Sequence, residues 1–297
     1  MSPRRRYRVL VSGASGLIGT ELTRQLRDDG HEVLHLVRRA PKAEHEINWA
    51  PSARTMDFRI MGEVDAVVNL SGASIGRLPW TPKYREVLKD SRVRSTQALA
   101  EAMNMVASPP AVFLSASGVS VYGDRPGVRI TDDSPVGTGF IPELVRAWEG
   151  AARLAPAKTR VVNLRSSVVM APHSLGPLDV MMNVGLGARL GTGGQYWPWI
   201  SLYDEAAAIR HLMTSKLAGP VILAGPTPAT SDRITHALAR RLHRPYALRA
   251  PEWTVRMLGE GAQVLALNST KVTPVRLEAD GFRWRHPLVE DAIDAAF

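Results

Sequence analysis

The chain has 297 residues, 45% of them hydrophobic and 22% charged, proportions of a globular protein with room for one large α/β domain and a smaller appended region. It contains no cysteine, which excludes disulfides, thiolate nucleophiles and cysteine-held metal sites, and no run approaches the ~18 continuous apolar residues of a membrane span. The net charge of +9 raises polyanions as partners, yet the arginines are dispersed and only Arg4, Arg5 and Arg6 cluster, so neither nucleic acid nor membrane is expected.

The first element carries the strongest signal. A β-branched run from Tyr7 to Ser12 breaks into Gly13, Gly16 and Gly19 and then into a helical pattern from Leu17 to Asp28. Gly13 permits the tight turn that ends a strand, Gly16 lets backbone approach a pyrophosphate, and Gly19 lets the helix sit close to the sheet. Ser15, Gly16, Leu17 and Ile18 then present the unpaired N–H groups of a helix N-terminus to an anion. A second strand follows from Glu32 to Val37, completing a βαβ unit. At its tip stand Arg38 and Arg39, with no carboxylate before Glu44. An acid there would accept from an adenosine 2′-hydroxyl, whereas arginine pairs with a 2′-phosphate, so the expected cofactor is NADP(H). His31 and His35 flank a strand without a carboxylate set, and no metal site is expected.

Further along, Asp65 to Leu70 reads as a buried strand ending in Leu70, Ser71 and Gly72. A long helix from Lys83 to Asn104 carries Arg92, a candidate phosphate contact or simple helix-surface arginine. Ala111 to Ser117 is a strand that ends with Ser115, Ala116 and Ser117 and runs into Tyr122; a helix spans Ile141 to Leu154, and a strand spans Arg160 to Leu164 before Arg165. This alternation predicts an α/β fold with a doubly wound parallel sheet covered on both faces. The glycine-rich passage Gly185–Gly194 leads into Gln195–Ile200, a segment that either closes over a ligand or packs its tryptophans as core. A helix (Tyr203 to Ser215), a strand (Val221 to Ala224), a helix (Ser231 to Leu242) and a mainly helical tail from Pro251 follow. The expected division is a dinucleotide-binding core over 1–170 and a substrate-binding and C-terminal helical region over 171–297, with 203–225 returning to the core.

These residues resemble the extended short-chain dehydrogenase/reductases of Rossmann fold. More narrowly, Trp80 through Thr96 with Ser91 and Arg92, Trp148–Glu149, Gly191 to Ile200, Gly281–Phe282 and His286–Pro287 are similar to the nucleoside-diphosphate-sugar epimerase-like proteins. The resemblance covers nearly the whole chain. It implies an NADP(H)-binding enzyme of the cytoplasm, monomeric or homodimeric, acting on a small molecule.

Members of that superfamily use a Tyr-x-x-x-Lys pair on the helix after the fourth strand, in which lysine lowers the tyrosine pKa. Counted back from Glu149, those positions hold Ile141 and Val145. The helper hydroxyl position counts to Gly118, with Ser117 one residue before it. Tyr122 and Ser117 are therefore the candidate acid/base groups, each with a structural alternative: Tyr122 packed under the nicotinamide, Ser117 ending a strand. Arg165 is either a buried ion-pair partner or a phosphate contact. The narrower group reads Trp-Ile-His-x-Asp-Asp where this chain has Trp199-Ile200-Ser201-Leu202-Tyr203-Asp204. His173, Trp197, Trp199, Ser201 and Tyr203 are the candidate substrate contacts. Three functions remain open at this point: an NADP(H)-dependent oxidoreductase or epimerase, a non-redox isomerase or cyclase, and a non-catalytic cofactor sensor.

Overall fold

The computed structural model describes residues 5–53, 55–172 and 174–297. Its centre is an eight-stranded sheet built from β1 (Arg8–Ser12), β2 (Glu32–Val37), β3 (Glu46–Ala50), β4 (Thr55–Met56), β5 (Ala66–Asn69), β6 (Val112–Gly118), β8 (Arg160–Ser166) and β13 (Gly219–Leu223). Between them in the chain, β7 (Arg125–Ile130) lies outside the sheet, as do β9 (Val168–Met170), β10 (Ala188–Leu190), β11 (Tyr196–Trp197) and β12 (Trp199–Ser201). The order is β13-β8-β6-β5-β1-β2-β3-β4, and every pairing is parallel except β3 with β4. Strand order reverses at β1, which pairs with β2 on one side and β5 on the other. That reversal opens a crevice at the strands' C-terminal ends, where open α/β sheets bind ligands.

Alternation along the strands distributes the core to both faces. Val9 and Val11 of β1, with Val68, Leu114 and Leu164, pack against α1 (Leu17–Asp28) and α5 (Leu202–Thr214). Leu10, Val67 and Phe113 point the other way, onto Leu99 and Met103 of α2 (Pro82–Asn104). Beside them α3 (Phe140–Ala152) buries Ile141, Leu144, Val145 and Trp148. The edge strands β3 and β4 are not among the elements read above. Only Trp49 of β3 is buried, so the segment lacks both a continuous apolar run and an alternating one.

The remaining chain forms α4 (Pro177–Asn183), β14 (Ala229–Thr230), α6 (Ser231–Arg241), β15 (Leu248–Ala250), α7 (Glu252–Met257), α8 (Glu260–Ala266), β16 (Thr270–Val272), α9 (Val275–Ala279) and α10 (Val289–Ala296). Short pairings tie it together: β10 with β15, β11 with β14, β12 with β9, and β16 with β7. A separate core joins Met170, Trp197 and Trp199 to Ile234, Leu238 and Ile293. Among the described residues no helix is long and apolar enough to cross a membrane.

Candidate functional site

At the C-terminal end of β1 the backbone decides which residues are possible. Gly13 has φ +75°, and a Cβ there would come within 2.8 Å of the Leu70 carbonyl. A Cβ on Gly19 would sit 2.3 Å from the Gly13 carbonyl oxygen. The turn closes through the Gly16 N–H donating to Gly13 O at 3.0 Å. α1 then starts with no side-chain cap and no acid in its first turn, so its N–H groups stay available to an anion. Ser15, Gly16 and Leu17 are exposed here, and Ile18 is half-buried.

The opposite lip of the crevice is fixed by a buried hydrogen-bond chain. Ser12 Oγ donates to Asn69 Oδ1 at 2.6 Å, and both Asn69 Nδ2 and Trp148 Nε1 donate to Thr96 Oγ1 at 2.8 Å. Ser71 joins through its N–H to Asn69 Oδ1 and its hydroxyl to Ser12 Oγ. The chain ties β1, β5, α2 and α3 together directly beneath Leu70, Ser71 and Gly72.

Among the described residues, two arginines beside the crevice lack an acid. Arg92 is buried, its guanidinium packed on Gly72 and 5.2 Å from the centre of the Trp148 ring, and it donates only to the carbonyls of Leu88 and Ala73. Burial lowers its pKa to about 10. A buried cation satisfied by carbonyls alone is a site that an anion would complete. At the tip of β2, Arg38 is exposed and has no side-chain partner among the described residues, whereas Arg39 is clamped by both oxygens of Glu46, at 2.6 and 2.7 Å. Arg39 and the N–H of Lys42 hold the Glu46 carboxyl at about 2. Sequence reading missed Glu46 because it returns to the tip through a turn, seven residues after Arg39.

Deeper along β6 and β8 lies a buried ionic network. Arg165 donates through Nε and Nη2 to the two oxygens of Glu149 at 2.8 and 3.0 Å, and through Nη1 to Tyr122 Oη at 2.8 Å. Tyr122 Oη donates to Asp132 O at 3.2 Å, and Ser117 Oγ donates to Glu149 at 2.7 Å. Tyr122 is fully buried, and burial pushes its pKa up to about 12. This placement, a buried phenol held by a cation and a carbonyl, is the geometry of the structural alternative for Tyr122. Ser117 is likewise buried and committed to Glu149, and Arg165 takes the ion-pair alternative rather than the phosphate one. Ile141 and Val145 lie in the apolar cluster under Trp80 and Trp148, so the tyrosine and lysine positions carry no proton donor. Ser115 is buried and Ala116 half-buried on the strand before this network.

The NAD dependent epimerase/dehydratase family model matches residues 9–225, which span the glycine turn, the crevice and β13. The chain belongs to this epimerase family. A domain of unknown function, DUF1731, matches residues 250–296. Among its relatives, the epimerase family protein Mb2239 of Mycobacterium bovis is 38% identical over 293 residues, 97% of each chain. The human epimerase family protein SDR39U1 is 33% identical over 293 residues, covering 96% of this chain and 98% of the relative. A crystal structure of human SDR39U1 with NADPH superposes with a TM-score of 0.87 at 30% identity, covering 97% and 98% of the two chains. The nucleoside-diphosphate sugar epimerase of Corynebacterium glutamicum gives 0.79 at 26% identity, covering 98% of this chain and 58% of its own.

In this epimerase-family chain the aromatic segment differs from a ligand lid. Trp197 and Trp199 are buried, with their Nε1 groups donating to Ala266 O and Thr227 O. Ser201 is buried too, capping α5 through the Asp204 N–H and donating to Asp204 Oδ2. All three have the buried, hydrogen-bonded geometry of the packed-core alternative. The histidine missing at position 201 has a counterpart from the C-terminal segment: His286 Nδ1 lies 3.0 Å from Ser201 Oγ. Tyr203 is half-buried beneath Arg285, at the wall of a separate cleft on α5. The expected substrate contact His173 lies outside the described residues.

Proposed function

We propose that the chain binds NADP(H) in the β1–β2–β5 crevice and acts as an oxidoreductase or epimerase-like enzyme on a small carbonyl-bearing substrate. The observation that carries this reading is the β2 tip, where Arg38 has no side-chain partner among the described residues while the nearby carboxylate, Glu46, is neutralised by Arg39. An NAD site needs a free acid at that tip to accept from the ribose hydroxyls, and here the acid is occupied. A 2′-phosphate is the anion that complements Arg38. The glycine turn from Gly13 to Gly19, with Ser15, Leu17 and Ile18, would hold the pyrophosphate, and Leu70, Ser71, Gly72 and Arg92 would flank it. Ser115 and Ala116 would line the cofactor along β6. Residues 1–170 are assigned to the cofactor and 171–297 mainly to the substrate, with 203–225 contributing α5 and β13 to the core.

Bound NADPH supplies a hydride for a carbonyl carbon. The protein's own part is to position and to manage the accompanying proton. Ile141 and Val145 cannot transfer one, and the hydroxyls of Tyr122 and Ser117 are buried and engaged. The proton therefore comes from solvent in this reading. The same observation favours a second reading, in which the bound nucleotide stays unchanged and the pocket holds one reactive conformer for isomerisation or cyclisation.

The deciding experiment offers the purified protein NADPH and a panel of carbonyl compounds, following nicotinamide absorbance and products together. NADPH consumption matched by alcohol supports the first reading, and product with absorbance unchanged supports the second. No product from any compound, with NADPH intact, contradicts both.

A further inference from the structure

A cleft of about 690 Å3 opens beside the N-terminal ends of β1 and β2, away from the glycine turn, lined by Tyr7, just before β1, and His31, just before β2. Its walls are Asp29 just after α1, α5, and the C-terminal segment from Phe282 to Arg285. Four arginines line it. Arg5 is paired with Asp65 at 2.8 Å and Arg210 with Asp29 at 3.1 Å. Arg283 and Arg285 are exposed and have no ion-pair partner among the described residues. Of the acids near the cleft, Asp280 holds His211 at 2.8 Å, and Glu21 is bound by Arg24 while also feeling the charge of Arg285.

The rings are arranged with the cations. Arg285 lies over the Tyr203 ring at 4.6 Å and Arg5 over Tyr7 at 5.0 Å. Stacking on a ring restricts a guanidinium's motion while leaving its in-plane donors free, so little further ordering is needed to meet an anion. Trp284 is pinned by its Nε1–H to Ala224 O at 2.9 Å and packs edge-on against Phe282. A rigid indole and two arginines without an ion-pair partner among the described residues, set in one open cleft, suit a planar ring bearing phosphate. An acidic protein partner would need a broader surface than this cleft offers.

We propose that this cleft binds a nucleoside phosphate, its base against Trp284 and its phosphates on Arg283 and Arg285, independently of the glycine-turn site. Calorimetric titration with ADP tests it on the wild type and on the double variant Arg283→Ser/Arg285→Ser. Both arginines are exposed, and an unchanged melting temperature of the variant verifies that it is folded. The variant is expected to bind one equivalent of ADP fewer than the wild type, whatever the glycine-turn site does with ADP. Saturation-transfer signals from aromatic protons to the adenine protons are expected to weaken in the variant. Tripolyphosphate and adenosine, each offering half of the ligand, are expected to bind this site at least tenfold more weakly than ADP. Equal stoichiometry in the two proteins overturns the proposal. Tripolyphosphate matching ADP reduces the cleft to a general anion patch and overturns the nucleoside assignment. A single-stranded RNA oligonucleotide binding more tightly than ADP, with loss in the variant, replaces it with a nucleic-acid surface.

Discussion

At the tip of β2 two neighbouring arginines have opposite fates, and the difference sets their expected mutational effects. Among the described residues Arg38 has no side-chain partner, and Arg39 is engaged by Glu46. Arg38→Ala is expected to weaken NADPH roughly tenfold, the loss of a charge-assisted contact, while leaving NADH unchanged in parallel fluorescence titrations. Equal weakening of both nucleotides would remove Arg38 from the 2′-phosphate. Tyr122 tests the buried network. Tyr122→Phe deletes an acceptor for Arg165, and a stability loss of about 1–3 kcal/mol in urea unfolding is expected with any turnover retained. Glu149→Ala is the harsher change. It strands the buried Arg165 cation, at an expected cost of about 3–5 kcal/mol, and a loss below 1 kcal/mol would show that the pair is not the keystone described. Charged residues inside apolar stretches, such as Arg165 after Val161–Leu164, were a visible sign of such a pair. Which acid answers each is a tertiary fact, since Glu149 comes from a helix on one face of the sheet.

Among the elements, α5 carries an unusual acid. Glu205 is fully buried in its first turn, accepts from Ser166 Oγ, and leaves Oε2 without a hydrogen-bond partner. Burial pushes its pKa from 4.5 up to about 8. Below pH 4.5 both folded and unfolded chains hold the proton. From there to about pH 8 the unfolded chain releases it and the folded chain does not, so stability falls as pH rises. The slope approaches about 1.4 kcal/mol per pH unit. Glu205→Gln keeps the shape without the titration and is expected to remove this decline in urea unfolding between pH 5 and 8. A decline of the same slope in the variant would assign it elsewhere. Element reading from sequence was strongest where local sterics and apolar runs coincide, as in β1, α1 and β2. It failed at β3, which is half-exposed, and at the Trp197–Ser201 segment, where the same aromatic composition serves a lid or a core. Only the packing of Trp199 beneath Thr227 and of Trp197 on Ala266 distinguishes the two.

Across the whole molecule, the doubly wound sheet places the glycine turn and the Arg38 tip at the C-terminal ends of β1 and β2 and the arginine-rich cleft beside their N-terminal ends. The doubly wound parallel sheet was legible because each βα repeat announces itself, and the family match spans these repeats over residues 9–225. The pairing of Arg39 with Glu46, and the burial of Tyr122, were not legible, since both depend on where distant backbone returns. Together they describe an epimerase-family fold in which the positions counted for the Tyr-x-x-x-Lys pair hold buried Ile141 and Val145 and the proposed nucleotide edge is cationic. The most direct test is calorimetric titration of the wild-type protein with NADPH and with NADH under one set of conditions. The account predicts NADPH binding at least tenfold tighter; NADH binding equal to or tighter than NADPH would contradict it.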